Sequence, residues 1–469
     1  MNQEDLAFTP ALKQARLIRD RQLSPLELVQ VYLDRIQRFN PLLGSYFTVI
    51  ADAAVADAKA KTEMLAGGIE ELPPFFGVPI SIKDLNAVAG VPCTFGNPAL
   101  LNNIPDFDDG VVTRIKQAGF TILGKTATSE LGSFPYTEPT GFPPARNPWN
   151  LEYTPGGSSG GAAASVAAGL CAIAQGSDGG GSIRGPAACC GLVGIKPSRG
   201  RVSQAPAGDR ISGLAVNGPL ARNVADAAAL LDVMSGYITG DPYWLPDPET
   251  SFLSNTKEQP GCLRVAYATS IIPLGDADAT CKQAVLDTVK LLTDLGHNVE
   301  EKSPDFSGLV QPFQTVWQAG IGAAGFPAEI LQPLNRWLLS RIGSTGEYLQ
   351  SVYQMQVICR QIVAFFDDID VLVLPVYLHS PIKVGEWAHL SPEDIFENII
   401  HWIAPCPFTN TTGQPAIAIP VGFDCNGLPM SVQLIGKPTA EATLIRLATQ
   451  IATVKPMDKR PDFTDVGVP

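Results

Sequence analysis

Residues 156–203 read GGSSGGAAASVAAGLCAIAQGSDGGGSIRGPAACCGLVGIKPSRGRVS, and this stretch decides how the rest of the chain is interpreted. Two glycine-rich clusters, 156–161 and 179–182, flank a run of small residues between 162 and 172. Glycine in such density weakens a regular helix or strand. Its presence indicates a backbone that adopts conformations, or approaches a ligand, in ways that a Cβ would forbid. The stretch therefore predicts a functional site.

The order of elements within this stretch predicts that two serines meet. The small residues 162–168 can form a closely packed helix, and 170–175 has the pattern of a short buried strand. Loop, helix, strand and second loop would then bring Ser158 and Ser182 to one place. Backbone N–H groups that converge beside a serine can form an oxyanion hole, and the predicted donors are Gly179, Gly180, Gly181 and Ser182. The alternative interpretation is a glycine-rich packing corner without chemistry.

A serine needs a base to become a nucleophile. The chain has four histidines, all far downstream and none with a flanking catalytic pattern: His297, His379, His389 and His401. Lysine is the other option. Lys83 ends the apolar, strand-like run 76–82, where burial could partly desolvate its ammonium group. A lysine at the end of a strand can equally be a surface cap, so both interpretations of Lys83 stay open at this point.

Taken together, these segments carry a family resemblance. Residues 156–203 resemble the signature of the amidase signature family, and Lys83 lies in a similar Gly-Val-Pro-Ile-Ser-Ile-Lys-Asp context. Further matching segments extend the likeness over nearly the whole chain: 124–126 with Glu130, 146–149, 410–416 and 427–433. Within the family, 177–184 and 196–201 are most similar to the branch named for 6-aminohexanoate cyclic-dimer hydrolase.

The resemblance implies an amidase that hydrolyses the carbon–nitrogen bond of a small or medium amide, linear or cyclic, through an acyl-enzyme. The family's Ser-Ser-Lys triad carries over as Ser182 the nucleophile, Ser158 the bridging serine and Lys83 the base. It also implies a cis peptide bond between Gly157 and Ser158. A lysine with its ordinary pKa of about 10.4 is a poor base at neutral pH. Burial must therefore lower the pKa of Lys83 to about 7 to 8.

Four further residues are predicted to support this site. Asp178 and Arg184 flank the triple glycine and are expected to pair with each other behind the catalytic groups, with a simple surface ion pair as the alternative. Gly132 is expected to offer backbone contacts to the substrate, because it lies in the matching segment that follows residues 124–126. Ser159, next to the bridging serine, is the second predicted substrate contact.

Two other functions are considered beside the amidase. The A subunit of a glutamyl-tRNA amidotransferase-type complex is similar in its core, but residues 204–208 depart from the pattern expected of that subunit. Residues 156–160 also match the G-x-S-x-G elbow of α/β-hydrolases, which would make Ser158 the nucleophile of an esterase with a downstream aspartate and histidine. The lysine match and the triple glycine before Ser182 favour the amidase.

Charge and hydropathy narrow the class of partner. The 469 residues carry a formal charge of −13, and no basic stripe is present to neutralise phosphates, which argues against a nucleic-acid partner. The N-terminal residues are acidic and lack the apolar segment of a signal peptide. No apolar run approaches the roughly 20 residues of a membrane-spanning helix. The expected partner is a small-molecule amide, with a homodimer as a candidate assembly.

The cysteines and a false phosphate-loop match bear on location and cofactors. The nine cysteines are scattered without any C-x-x-C pair, which is typical of reduced thiols in a cytoplasmic protein rather than of disulfides or a zinc site.

Residues 119–126 match the phosphate-loop pattern, but their middle is strand-like, whereas a phosphate loop follows a strand and opens a helix. No cofactor and no metal are therefore expected.

Helices and strands alternate along the chain, which predicts an α/β fold with a mixed, largely parallel sheet covered by helices on both faces. The resembled family has the same fold. The residues 24–27 form a capping box that opens a helix, and Asn40 with Pro41 is expected to end it. No linker or repeat divides the chain. We expect one domain, 1–469, made of a helical layer (1–70), a catalytic core (71–220), a substrate-shaping region (236–403) and closing strands and helix (404–469).

Overall fold

The structure is a computed structural model that describes residues 2–68, 71–209 and 211–462. The predicted bounds 1–469 and 1–70 therefore include some residues outside the described part. The helices are α1 Gln3–Ala7, α2 Ala11–Arg19, α3 Pro25–Leu43, α4 Ala51–Ala66, α5 Gly110–Gln117, α6 Gly160–Ala167, α7 Arg184–Cys190, α8 Val224–Met234, α9 Phe252–Asn255, α10 Ala279–Asp294, α11 Val310–Ala323, α12 Pro333–Ser340, α13 Thr345–Ala364, α14 Pro392–Ile403, α15 Pro407–Thr412 and α16 Glu441–Val454. Short 3-10 helices cover Pro98–Leu100, Glu130–Gly132, Ala328–Ile330 and Phe365–Asp367.

The strands are β1 Tyr46–Val49, β2 Pro79–Lys83, β3 Thr121–Thr126, β4 Ile173–Asp178, β5 Val193–Lys196, β6 Val216–Ala221, β7 Arg264–Tyr267, β8 Ser270–Ile271, β9 Gly275–Asp276, β10 Asn298–Glu301, β11 Val371–Pro375, β12 Ala416–Phe423 and β13 Pro429–Gly436. In the described residues, all but β8 and β9 form one sheet of eleven strands in the order β1-β3-β2-β4-β6-β5-β12-β13-β11-β7-β10. Strands β8 and β9 form a separate hairpin.

The mixed sheet of an α/β fold is confirmed, but the expectation that it is largely parallel is wrong. In the described sheet, four neighbouring strand pairs are parallel and six are antiparallel. Five of the antiparallel pairs occupy the centre, where β12 and β13 are joined by a short turn, and the sixth, β1 with β3, lies at one edge. A tight turn between neighbouring strands forces them to run in opposite directions. The alternation of helices and strands in the sequence does not reveal whether a strand runs parallel or antiparallel to its neighbour in the sheet.

Two predicted element boundaries are corrected by the structure. Helix α3 begins at the predicted capping box, but it continues past Pro41 to Leu43 and ends where Gly44 adopts a left-handed conformation, φ +56°. The strand predicted at 170–175 is β4, Ile173–Asp178. The chain joins the sheet later than predicted because the N–H groups of Gly169 and Leu170 still donate to carbonyl oxygens of α6.

The position of β2 brings the predicted site together. Strand β2 lies between β3 and β4 and is parallel to both. Lys83 is the last residue of β2 and Asp178 the last of β4. Because the carboxyl ends of parallel strands meet at one edge of a sheet, Lys83 and the glycine loop that follows Asp178 lie side by side.

Two observations bear on location and membrane association. Among the described residues, every helix is either too short or too polar to cross a bilayer. All nine cysteines are free thiols, and five of them are buried: Cys93, Cys171, Cys189, Cys190 and Cys406. The cytoplasmic location inferred from the cysteine pattern stays a prediction.

Candidate active site

Lys83 is buried completely at the carboxyl end of β2. Its main-chain N–H donates to the Oε1 of Gln175 at 3.0 Å, and the Gln175 amide in turn donates to Asn86 and Asn217. These contacts fix the backbone from which the lysine side chain extends. The sequence left open whether Lys83 is a surface cap at the end of a strand, and its complete burial shows that it is not.

The amine of Lys83 faces hydroxyl groups. Its Nζ lies 2.7 Å from the Oγ of Ser158, 3.0 Å from the Oγ of Ser177 and 3.3 Å from the Ser177 carbonyl oxygen. Burial lowers the pKa of Lys83 to about 7, and the carboxylate of Asp178 opposes that shift. The amine is therefore substantially uncharged at neutral pH. A neutral amine has two N–H donors and one lone pair, so donation to Ser177 leaves the lone pair for the Ser158 hydroxyl.

Ser158 and Ser182 lie on adjoining loops. The Gly157–Ser158 peptide bond is cis, as the resemblance implies. The N–H of Ser159 donates to the carbonyl oxygen of Ser182 at 3.3 Å, which ties the first glycine loop to the second. Ser158 is 1% exposed and Ser182 is 8% exposed. The hydroxyl of Ser182 is therefore the more accessible of the two, and that of Ser158 is enclosed.

The second glycine loop presents free backbone amides beside Ser182. Gly181 has a φ of +121°, and a Cβ there would lie 2.8 Å from the Cβ of Cys406, so only glycine fits. The N–H of Gly181 donates to the Oδ1 of Asp178 at 2.7 Å and is engaged, contrary to its predicted role as an oxyanion donor. Within the described part of the chain, the N–H groups of Gly179, Gly180 and Ser182 meet no acceptor.

Asp178 and Arg184 form a buried pair, as predicted, and the surface alternative is wrong. The Nη2 and Nε of Arg184 donate to the two oxygens of the Asp178 carboxylate at 2.9 and 3.0 Å, and both side chains are fully buried. Burial alone would raise the pKa of Asp178, but Arg184 holds it below its ordinary value. The Asp178 carboxylate therefore stays charged and anchors the glycine loop through Gly181.

The other N–H groups of Arg184 also donate hydrogen bonds. Its Nη1 donates to the carbonyl oxygen of Cys406 and to the Oε1 of Gln433, both at 3.0 Å, and its Nη2 donates to the Oδ1 of Asn410 at 2.8 Å. The Nδ2 of Asn410 donates back to the Asp178 carboxylate at 2.9 Å. This network connects the glycine loop to α15 and β13, which explains why the segments 410–416 and 427–433 stand out in the sequence.

The two predicted substrate contacts are placed differently. A Cβ on Gly132 would lie 3.4 Å from the Ser158 Oγ, so this glycine lies directly against Ser158. Ser159 is fully buried, and its hydroxyl donates to the Ser177 carbonyl oxygen at 3.2 Å. That bond gives Ser159 a role in holding the loop beside Lys83. Its predicted contact with substrate receives no support from this geometry.

The histidine-dependent alternative finds no geometry to support it. His297 bonds to Gln450 and to the N–H of Leu263, His379 bonds to the Ser380 carbonyl oxygen, His401 bonds to the Leu274 carbonyl oxygen, and His389 is exposed. In the described residues, none of the four bonds to Ser158 or Ser182. No group of three or more metal-ligating side chains is found there either.

Comparison with known proteins identifies the family. The family model described as Amidase matches residues 27–445 of the chain. The chain belongs to this amidase family. A putative amidase of Synechocystis sp. is 58% identical over 95% of the chain and 88% of that protein. An acylamidase of Rhodococcus erythropolis is 33% identical over 98% of each. The solved structure of 6-aminohexanoate cyclic dimer hydrolase superposes with a TM-score of 0.90 at 29% identity, over 97% of this chain and 99% of that one. The protein is thus a hydrolase of carbon–nitrogen bonds.

Two cavities adjoin the candidate catalytic groups of this amidase. The first, which we call the apolar cavity, has a volume of about 910 Å³ including its opening to solvent and is lined by Ser182 and Gly180. Half of its lining residues come from α11, α14 and the β8–β9 hairpin. The second, the wide cavity, has a volume of about 1640 Å³ including its opening. Asn86, Ser177 and Asn217 contribute polar groups to its wall.

The sequence interpretation of the amidase missed Ser177 and Gln175. Ser177 contributes two of the three contacts at the Lys83 amine, and Gln175 fixes the Lys83 backbone. Both residues lie in the glycine-rich stretch 156–203: Gln175 ends the predicted strand 170–175, and Ser177 begins the segment 177–184 that carries part of the resemblance. Parallel pairing of β2 with β4 places Gln175 opposite Ile82. A sequence signal did exist, because Ser177 directly precedes the Asp178 that was singled out.

Proposed function

We propose that this amidase cleaves its amide substrate through a Lys83–Ser158–Ser182 triad and an acyl-enzyme on Ser182. The observation that carries the proposal is the 2.7 Å contact between the Lys83 Nζ and the Ser158 Oγ in a fully buried environment. A buried lysine with a pKa of about 7 can act as a base at neutral pH. The name of the 6-aminohexanoate cyclic dimer hydrolase and that of the acylamidase are consistent with an amide substrate.

The acylation step follows from where protons can go. The neutral amine of Lys83 accepts the proton of Ser158, and Ser158 accepts the proton of Ser182 as the Ser182 Oγ attacks the amide carbonyl carbon. Ser182 is the more exposed hydroxyl and lines the apolar cavity, whereas Ser158 is enclosed. The enclosed hydroxyl therefore relays protons, and the accessible one forms the covalent bond.

Backbone amides stabilise the charge that develops on the carbonyl oxygen. The candidates are the unengaged N–H groups of Gly179, Gly180 and Ser182, since Gly181 is bonded to Asp178. A donor that is already positioned for the oxyanion contributes on the order of 3 kcal/mol in the transition state. Arg184 supports this loop by holding Asp178, so its contribution is one of position.

Collapse of the tetrahedral intermediate requires a proton on the departing nitrogen. Ser158 donates that proton and regains one from the Lys83 ammonium, which returns the lysine to its neutral form. Water then attacks the Ser182 ester and gives a proton to Ser158, which passes one on to Lys83. A proton returns by the same groups to the Ser182 Oγ as the carboxylic acid leaves. Each proton taken by Lys83 is thereby given back within one turnover, and no cofactor enters the scheme.

A serine-directed fluorophosphonate tests the nucleophile. The expected result is stoichiometric labelling of Ser182, found by peptide mapping, because only an activated serine is phosphonylated. Ser182→Ala should abolish the label. Ser165→Ala is the matched control, since Ser165 is a buried serine whose hydroxyl donates to the Ala162 carbonyl oxygen within α6. Labelling of Ser158, or of no serine in the folded wild-type protein, would refute the assignment.

A further inference from the structure

The two cavities differ in the chemistry of their walls. Among the described residues, none of those that line the apolar cavity is charged, and most are aliphatic or aromatic, as in Ile271, Leu274, Phe306, Ile399 and Phe408. The wide cavity has amide, hydroxyl and carboxylate groups in its wall, among them Asn86, Gln204 and Asp109. A substrate that reaches into both therefore meets a wall without charged groups on one side. On the other side it meets a larger cavity, open to solvent, whose wall is also largely apolar but includes these polar groups.

Trp317 separates the two cavities. Its ring lines both, and a Cβ on Gly179 would lie 3.2 Å from that ring, so the indole packs directly on the oxyanion loop. Phe313 stacks on Trp317 with ring centroids 5.5 Å apart and faces Gly180. Helix α11 thus covers the loop at the point where a bound amide group would lie. An amide bound at this point would have one cavity on each side of the indole for its two substituents.

The positions of the serines decide which substituent takes which side. Ser182 lines the apolar cavity and is not among the described residues that line the wide cavity. An acyl group attached to Ser182 therefore extends into the apolar cavity. Ser177, which contacts the Lys83 amine, lines only the wide cavity, as does Leu131, which precedes the Gly132 that lies against Ser158. Ser133 lines both cavities. Because the Lys83 amine is reached through Ser177, the proton that the leaving nitrogen needs is supplied from the wide-cavity side.

On the basis of the proposed function, we propose that this amidase acts on amides of uncharged, apolar carboxylic acids. The acyl group occupies the apolar cavity, and the amine leaves, and water enters, through the wide cavity. The C–N bond breaks as the ester to the Ser182 Oγ replaces it, and the amine carries away the proton that Ser182 lost. Water then hydrolyses the ester, releasing the acid and restoring the Ser182 hydroxyl.

The physical reason for this selectivity is the difference in solvation. An ionised group that enters a cavity without a counter-charge loses its hydration and gains no partner. An alkyl or aryl acyl group gains free energy from the apolar area that it buries. A charge on the amine stays in the wide cavity, which is larger, opens to solvent and has polar groups in its wall, so the charge loses little hydration. Selectivity against charge is therefore expected on the acyl side only.

Three amides that differ in one charge test the proposal. Hexanoyl-benzylamide is the reference. Its analogue from adipic acid carries a terminal carboxylate on the acyl group, and its analogue from 4-(aminomethyl)benzoate carries one on the amine. We expect kcat/KM to fall at least 100-fold for the acyl carboxylate and less than 10-fold for the amine carboxylate. Equal losses, or the reverse order, would overturn the proposal even if fluorophosphonate still labels Ser182. If no amide is cleaved and Ser182 is not labelled, the proposed function itself fails.

A variant pair sharpens this test. Ile400 lies half-buried on α14 and lines the apolar cavity, so Ile400→Lys would place a cation in its wall. Asn398 lies half-buried on the same helix and is not part of that wall, so Asn398→Lys is the control with equal added charge. We expect Ile400→Lys to raise the ratio of adipoyl to hexanoyl kcat/KM at least 10-fold. An unchanged ratio, or an equal rise with Asn398→Lys, would contradict the placement of the acyl group.

Discussion

Two lysines of this amidase are buried equally but face different neighbours. Lys83 ends β2 and Lys196 ends β5, and both side chains are completely buried. Burial lowers the pKa of each to about 7. The Lys83 amine faces the hydroxyls of Ser158 and Ser177. The Lys196 amine instead donates to the carbonyl oxygens of Pro197 and Gln414, at 3.0 and 2.7 Å.

The difference teaches that a lowered pKa does not by itself make a base. A carbonyl oxygen can only accept a hydrogen bond, so it has no proton to give to Lys196. A hydroxyl can donate its proton to the lone pair of Lys83. Burial therefore sets the charge of both amines, whereas the identity of the neighbouring groups decides which amine can do chemistry. A third buried lysine, Lys125, illustrates the opposite arrangement, since it pairs with the Asp84 carboxylate at 2.8 Å.

The largest expected effect is a difference in catalytic activity between variants of the two lysines. Lys83→Met should lower kcat for an amide at least about 1000-fold, because the base and proton relay are lost. Lys196→Met removes an equally buried amine and should keep kcat within about threefold of wild type. Steady-state kinetics on one chromogenic amide, with circular dichroism to confirm folding, checks both variants. Comparable losses in the two would mean that Lys83 has no special role.

The pH dependence of activity should follow Lys83 alone. The base must be uncharged, so kcat/KM should rise about tenfold per pH unit below about pH 7 and level off above it. At pH 5 the rate should thus be about 100-fold below the plateau. Lys196→Met should leave the midpoint in place. The measurement is a pH–rate profile of the wild type and this variant, and a flat profile between pH 5 and 8 would contradict a lysine base.

Stability should respond to both lysines alike. Each has a folded-state pKa below its unfolded value, so between about pH 7 and 10 the unfolded chain binds the extra proton and stability rises with pH. Each lysine contributes about 1.4 kcal/mol per pH unit, which is tenfold in the unfolding equilibrium constant. This stability is lost as pH falls towards 7. Buried thiols such as Cys93, whose pKa burial raises to about 11, act in the opposite direction above about pH 8.5.

Urea unfolding at pH 7 and pH 8 therefore isolates the lysines. Lys83→Met and Lys196→Met should each reduce the rise in unfolding free energy between these pH values by about 1 kcal/mol, because each folded amine is still about half protonated at pH 7. Above about pH 10, where the lysine is neutral in both states, Lys196→Met should lower stability by about 1 to 3 kcal/mol, because two buried carbonyl oxygens lose their donor. A pH slope that changes in one variant and not in the other would show that the two amines are not equally desolvated.

The smallest expected effect concerns the neighbour that orients Lys83. Ser177→Ala removes the hydroxyl that lies 3.0 Å from the Lys83 amine but keeps the Ser177 carbonyl contact. We expect kcat to fall about tenfold, the equivalent of one hydrogen bond, with KM nearly unchanged. Ser165→Ala, which removes a buried hydroxyl within α6, should leave kcat as in wild type. A loss as large as that of Lys83→Met would assign Ser177 a direct part in proton transfer.

The candidate site was predictable in part because its residues lie in local patterns. The glycine clusters around Ser158 and Ser182 mark the two loops, and the apolar run before Lys83 marks a buried strand end. Ser177 was not predicted, because its contact with Lys83 depends on the parallel register of β2 and β4. Gly181 was predicted to bind the oxyanion, but Asp178 accepts its N–H because the chain turns back on itself after β4.

The fold shows the same division. The α/β class follows from local periodicity, and α3 begins at the capping box that the sequence predicts. The balance of parallel and antiparallel pairs did not follow, since it depends on how distant strands are brought together. The two cavities could not be predicted either, because their walls come from segments far apart in the chain. Residues of α11, α14 and the β8–β9 hairpin line the apolar cavity, and residues 203–208 with α11 line the wide cavity.

By itself, the sequence determined the chemical groups of this protein: two serines in glycine loops, a lysine at the end of an apolar strand, and an aspartate and arginine around the triple glycine. These are local properties of composition and spacing. Only the tertiary structure decided which buried lysine meets a hydroxyl and which meets carbonyl oxygens, because both lysines end apolar strands in the sequence. It also decided which amides of the glycine loop stay free. Hydrogen-bond partners come from neighbouring strands and helices, and adjacency in the sheet is not written in any one segment.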